Sequence, residues 1–237
     1  MTTVNVLKKL SMATAGAAVI ALGIAGTAQA ESVVIGGPGE PGGDCAPFGC
    51  TLRYQQVYNA SLFSSPIQID TISFFNKNDS PGSISNANYT INLSTTNKAV
   101  NGLSNIFASN IGANNQSFFV GSLSGAISDG KFSITGNSFL YDPSQGNLLL
   151  DVSKDGGSYD FSAFLDYNPS SNGSFSRLFS FDNSSSGNIH DNYGLVTEFS
   201  SASKSVPEPA SLMGILGLGA FGVTSLRKRK QVSAVKA

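Results

Sequence analysis

The 237-residue chain has a single histidine, His190, in Asn188-Ile189-His190-Asp191-Asn192. A Ser-His-Asp triad would have to run through it, yet no Gly-x-Ser-x-Gly elbow accompanies it. A lone His between Asn and Asp reads as a solvated loop residue. Carboxylates offer a second chemistry. Glycoside hydrolysis needs two carboxyl groups flanking one sugar, about 5 Å apart for retention and about 6.5–9.5 Å for inversion. Glu198 is the only Glu between residues 51 and 200, and Asp151, Asp160, Asp166, Asp182 and Asp191 are its candidate partners. Tyr54, Tyr58, Tyr159, Tyr167 and Tyr193 could stack on sugar rings, although the chain has no Trp. The run Asp182-Asn183-Ser184-Ser185-Ser186-Gly187-Asn188, followed by Asp191-Asn192, offers the hard oxygen ligands that Ca²⁺ takes. It lacks EF-hand spacing, and a solvated turn accounts for the same residues. Cys45 and Cys50 enclose four residues. In an exported chain so close a pair is expected to form a small disulfide loop at the N-terminal border of the folded domain. Two thiols and one His are too few for a structural zinc site. No catalytic residue, metal or cofactor is therefore assigned, and the chain is expected not to be an enzyme.

The elements that would position these groups are strands. From residue 51 to 199, short apolar or aromatic runs alternate with Asn, Ser, Gly and Asp. The pattern predicts strands at 51–58, 67–75, 88–94, 117–123, 131–135, 147–152, 159–165, 177–181 and 194–199. Period-2 alternation shows in Tyr89, Ile91 and Leu93, in Phe132 and Ile134, and in Phe161, Ala163 and Leu165. No stretch there sustains a 3.6-residue period. Nine short strands at this spacing predict an all-β body, a two-sheet β-sandwich or jelly roll over 51–200. Residues 31–50, with the Gly/Pro-rich run 35–44 and the Cys pair, are expected to be a leader, flexible over that run. Ser and Asn supply 33 and 19 of the 175 residues from 31 to 205, which suits turns, sheet surfaces and hydrogen bonding to sugars.

Charge divides the chain into three parts. Residues 31–205 carry 7 basic and 14 acidic residues, a net of −7, while both ends are basic. An acidic body argues against nucleic-acid binding, which needs a basic face. Residues 1–30 have the layout of a secretory signal peptide, expected as a helix. Lys8 and Lys9 precede an apolar run, and Ala28-Gln29-Ala30 supplies a small-x-small site with cleavage after Ala30. An uncleaved anchor is the alternative. At the other end stand Pro207-Glu208-Pro209, then a segment at 210–226 whose residues 212–226 carry no charge, then Arg227, Lys228, Arg229 and Lys230. As a helix, those 15 residues span about 22 Å, short of a bilayer core of about 30 Å, so the segment predicts a transient inner-membrane anchor. The basic cluster would stay on the cytoplasmic side.

This three-part C-terminus resembles the PEP-CTERM sorting signal. The resemblance rests on Pro207, Glu208 and Pro209 with the Arg227–Lys230 tail, and covers about 30 residues of the C-terminus within the linker and sorting segment 201–237. It implies recognition by an exosortase, cutting near the motif, and delivery to the cell surface or the exopolysaccharide matrix. Residues 141–152 and 194–199 are similar to segments in the bodies of other PEP-CTERM proteins, which carries no activity with it. The function expected from all this is a structural or adhesive, non-catalytic protein of the surface or matrix, with extracellular polysaccharide as partner. The alternative is a secreted carbohydrate-active hydrolase using Glu198 and an Asp.

Overall fold

Alternating side chains set the two faces of each strand. The computed structural model describes residues 31–37, 43–76, 82–127, 130–156, 159, 161–169 and 172–202. The signal segment and the sorting segment, with the helix expected in each, lie outside the described residues. Twelve strands follow in order: β1 (Ser32–Ile35), β2 (Arg53–Tyr58), β3 (Ile67–Phe75), β4 (Gly82–Thr96), β5 (Gln116–Ile127), β6 (Lys131–Tyr141), β7 (Asn147–Asp155), β8 (Tyr167–Asn168), β9 (Phe175–Ser180), β10 (Ile189–Asp191), β11 (Gly194–Leu195) and β12 (Thr197–Ser200). Three single 3₁₀ turns are the only helical elements among the described residues. The body is all β.

The strands form a four-stranded sheet ordered β1-β12-β3-β6 and a six-stranded sheet ordered β10-β9-β2-β7-β4-β5, with β8 and β11 as a separate pair. All pairings are antiparallel. One core joins the two large sheets: Tyr58 of β2 meets Phe199 of β12 edge-on at 5.0 Å, and Phe63 meets Tyr141 of β6 at 4.7 Å. Four tyrosines, 54, 58, 89 and 141, are at most 1% exposed. Such rings are buried at tolerable cost only when the hydroxyl has a partner. Tyr58 Oη pairs with Thr197 Oγ1 at 2.9 Å, Tyr89 Oη donates to the Phe48 carbonyl at 2.9 Å, Tyr141 Oη donates to the Gly146 carbonyl at 2.8 Å, and Tyr54 Oη donates to Gln56. At one side the sheets nearly touch. A Cβ on Gly136 of β6 would stand 2.3 Å from the Phe118 carbonyl oxygen of β5, so only glycine permits that approach.

Three expectations need correction. The leader begins as a strand: Ser32-Val33-Val34-Ile35 pairs with β12, and Ile35 enters the core at 3% exposure. Its β-branched residues precede the Gly/Pro-rich composition that suggested a leader. The strand expected at 159–165 is absent. Phe164 adopts φ +44°, and Leu165 makes only isolated bridges, to Asp44 and Asn76, while Ala163 and Leu165 plug the core. Their alternation reflects inward anchoring from a loop. Finally, the stretch 194–199 is two elements, split at Val196.

Candidate functional site

The outer face of the six-stranded sheet has two halves. Over one, residues 97–111 fold back and bury Leu103 and Phe107 on Val57, Leu149 and Leu178, a small second core. The other half stays open. Register aligns Arg53 of β2, Ser153 of β7, Thr90 of β4 and Val120 of β5 in one outward row, and Asp155, Asn88 and Ser122 in the next. The first row, with Asp155 and Asn88 of the second and Asn183 of the 181–188 loop, lines a groove of about 420 Å³. Val120 is 70% exposed. The lining offers guanidinium, amide, hydroxyl and carboxylate groups, with donors and acceptors side by side.

Beneath the boundary between the halves, Asp151 Oδ1 accepts from Arg53 Nη2 at 3.0 Å and from Gln55 Nε2 at 3.2 Å. Burial raises the Asp151 pKa, against the opposing pull of Arg53 and Gln55. Arg53 also stacks over the Phe107 ring at 4.9 Å, which fixes its guanidinium at the groove edge.

A second polar cluster lies within the body. Arg177 of β9 is 4% exposed, bonded to Asp44, and donates through Nε to Asp191 Oδ2 at 3.0 Å. Its guanidinium stacks on Tyr193 at 4.4 Å and Phe179 at 4.8 Å. Desolvation alone would lower its pKa, but Tyr54, Asp44 and Asp191 hold it above the ordinary value. Two half-buried carboxylates satisfying one buried cation tie the segment before Cys45, β9 and β10 together. A cavity of about 110 Å³ adjoins this ion group on its Asn101–Asn192 side.

The residues singled out in the sequence fall in different places. Glu198 points outward from the four-stranded sheet, since its neighbours Thr197 and Phe199 are fully buried, and it pairs with Lys131. Asp151 points outward from the opposite sheet. Packed sheets stand about 10 Å apart, so these two carboxylates cannot flank one sugar. Asp182 Oδ1 accepts from Ser180 Oγ at 2.6 Å and from the Ser184 N–H at 3.0 Å. The Ser180 hydroxyl is the main cause that lowers its pKa to about 2. Asp191 is held by Arg177, so the two ends of the loop proposed for Ca²⁺ serve separate partners; no group of three metal-ligating side chains occurs among the described residues. His190 sits in strand β10, paired with Leu178, where a loop was expected. Asp160 lies outside the described residues. Tyr54 and Tyr58 are buried, and Tyr167 and Tyr193 pack on each other at 5.7 Å, which leaves Tyr159, at 55% exposure, as the ring open to a sugar.

Cys45 and Cys50 are joined by a disulfide with Cα atoms 5.3 Å apart. The loop they close is not a border feature. Phe48 inside it is fully buried against Phe74, Phe132 and Tyr89 at 4.9, 5.3 and 5.6 Å. The Gly49 carbonyl accepts from Lys154 Nζ at 2.6 Å. A lone aromatic within so short a loop was the available signal for this plug.

The chain leaves the sandwich at one end. The Glu31 N–H donates to Ser201 Oγ at 3.0 Å, the Ser201 N–H donates to the Glu31 carbonyl at 2.9 Å, and the Ala202 N–H donates to Asp70 at 2.7 Å. Just beyond, residues 205–230 match the family model of the PEP-CTERM protein-sorting motif. The chain carries a PEP-CTERM sorting motif. The match covers Pro207, Glu208, Pro209 and the tail Arg227, Lys228, Arg229 and Lys230. A PEP-CTERM motif implies an exported, cell-envelope-associated protein recognised by an exosortase. No curated protein and no solved structure matches the chain.

Proposed function

We propose that this PEP-CTERM protein is a non-catalytic structural or adhesive component of the cell surface or exopolysaccharide matrix, which binds polysaccharide along the open half of its six-stranded sheet. The observation that carries the reading is the groove itself. Asn88, Thr90, Ser153 and Asn183 present amide and hydroxyl groups side by side along the groove, which suits the hydroxyl-dense edge of a sugar chain. Arg53 and Asp155 add a fixed donor and a fixed acceptor. Contacts of this kind are individually weak, and retention in a matrix then rests on many of them acting together. The net of −7 over residues 31–205 keeps the body soluble and favours divalent-cation bridging to acidic polymers.

The test is co-sedimentation of the exported protein with exopolysaccharide from its own host, with Ca²⁺ and with chelator. Val120→Arg fills the groove from an exposed position and is expected to abolish sedimentation without moving the melting temperature. Leu140→Arg, at an equally exposed position on β6 of the other sheet, is expected to leave it intact. Loss in chelator alone assigns the contact to cation bridging. Equal sedimentation of both variants would remove the groove from the mechanism, and no sedimentation of the unaltered protein under either condition would end the adhesive reading.

A further inference from the structure

The N-terminal strand is built to be exchanged. We infer that β1 of one copy replaces β1 of a neighbouring copy beside β12, so that the protein assembles with itself through reciprocal strand exchange. β1 is an edge strand of only four residues, held by β12 alone. It gives the core one fully inserted side chain, Ile35, and a partial contact from Val33, while Val34 on its outer side is 52% exposed. Every other strand of the four-stranded sheet is long or paired on both sides. The slot left by a departing β1 is the free edge of β12 with an opening above Phe199. Its best-fitting occupant is the segment that already fits it, Ser32–Ile35 of a second copy.

Covalent linkage permits the exchange. Residues 36–43 read Gly-Gly-Pro-Gly-Glu-Pro-Gly-Gly, a composition with little to bury. Gly36 is packed against Val196, whereas a Cβ on Gly37, at φ +65°, would meet nothing within 4 Å. The seven residues from 37 to 43 reach about 24 Å when extended, enough to cross to an adjacent sandwich. Cleavage after Ala30, which Ala28-Gln29-Ala30 predicts, frees the other end of the strand at Glu31. Orientation favours the same outcome. β12 ends within a few residues of the PEP-CTERM segment at 205–230, so copies gathered through that segment bring their β12 edges near one another. A strand swapped between such neighbours keeps its antiparallel direction against β12. The inference is independent of what the groove binds.

Val34 and Glu198 face each other across the β1–β12 pair, both outward, and the chain has no free cysteine among its described residues. The experiment co-expresses two differently tagged full chains with export, one carrying Val34→Cys and the other Glu198→Cys, and treats the envelope fraction with oxidant or a short bis-maleimide. A cross-linked species bearing both tags is expected, and each variant alone should give no such species. In the double variant Val34→Cys/Glu198→Cys the same pairing should link two chains covalently, not close within one. Two results would overturn the exchange: no two-tag species from the paired single variants, or a double variant that closes only within its own chain.

Discussion

If the Cys45–Cys50 loop is a core plug, its phenylalanine should matter more than its disulfide. The disulfide closes a ring of about six residues, for which loss of unfolded-state loop entropy gives about 2 kcal/mol. Phe48 is fully buried, with ring contacts to Phe74, Phe132 and Tyr89. Replacing such a ring by Ala typically costs about 3–5 kcal/mol, because the cavity adds to the lost transfer energy. The backbone on either side is committed as well. The Phe48 carbonyl takes Tyr89 Oη and the Ser85 N–H, and the Gly49 carbonyl takes Lys154 Nζ, so a displaced loop would strand buried donors. For a domain of this size each kcal/mol moves the melting temperature by about 2–4 °C. Phe48→Ala should therefore lower it by about 6–20 °C, and Cys45→Ser/Cys50→Ser by about 4–8 °C. Thermal unfolding of the exported protein, followed by near-ultraviolet circular dichroism, compares them directly. A double serine variant that loses more than Phe48→Ala would show the loop to be a staple whose ring is incidental, and the plug reading would fall.

Arg177→Ala removes the buried partner of the half-buried Asp44 and Asp191 and is expected to cost about 3 kcal/mol, whereas Glu198→Ala, which breaks the Lys131 pair on the sheet surface, should cost at most about 1 kcal/mol; urea unfolding midpoints at one slope give both values. Asp151 contributes to pH dependence with the sign opposite to an ordinary paired carboxylate. Its folded-state pKa is raised by burial, so the folded state binds the proton more tightly, and its contribution to stability falls as pH climbs from about 3.9, the ordinary value, through the raised one. Stability measured across that window in the unaltered protein and in Asp151→Asn should differ by a component that shrinks with rising pH in the unaltered protein only; a component that grows would show Arg53 to dominate.

Strand positions were readable because core-facing residues alternate, and β3 was delimited residue for residue by its flanking turn composition. What periodicity could not supply was partnership. The groove depends on Arg53, Ser153, Thr90 and Val120 sharing a row, and those residues are separated by up to 100 positions in a chain whose register is set by tertiary packing. The ion cluster depends likewise on Asp44 reaching Arg177 across the fold. Tyr54 and Tyr58 misled for a related reason. A tyrosine is equally suited to stack on sugar and to lie in a core with its hydroxyl paired, and only the positions of Gln56 and Thr197 decide which. In Ser32–Ile35 the strand signal was present but outweighed by the composition that follows it.

Placement of the chain ends gives the sorting signal a structural consequence. Glu31 and Ser201 are bonded to each other, so the first and last few residues of the described body, the latter close to the PEP-CTERM motif, stand at one end of it. Between Ala202 and Pro207 stand four residues, which extend to about 14 Å at most. A sorting enzyme that engages Pro207-Glu208-Pro209 while the body is folded must therefore work close against that end, where Ser65, Gln68, Asp70 and Ser138 form a polar hydrogen-bonded rim with Glu31. β2 runs from Arg53, at the groove, toward Tyr58, whose hydroxyl meets Thr197 of β12, and β4 and β7 bring Asn88 and Asp155 to the same side as Arg53. The groove thus occupies the half of the molecule farther from the chain ends. On the proposed function, a body held by its C-terminal segment would present that half away from its attachment, and the proposed strand exchange between neighbours would set many such grooves side by side without covering any of them.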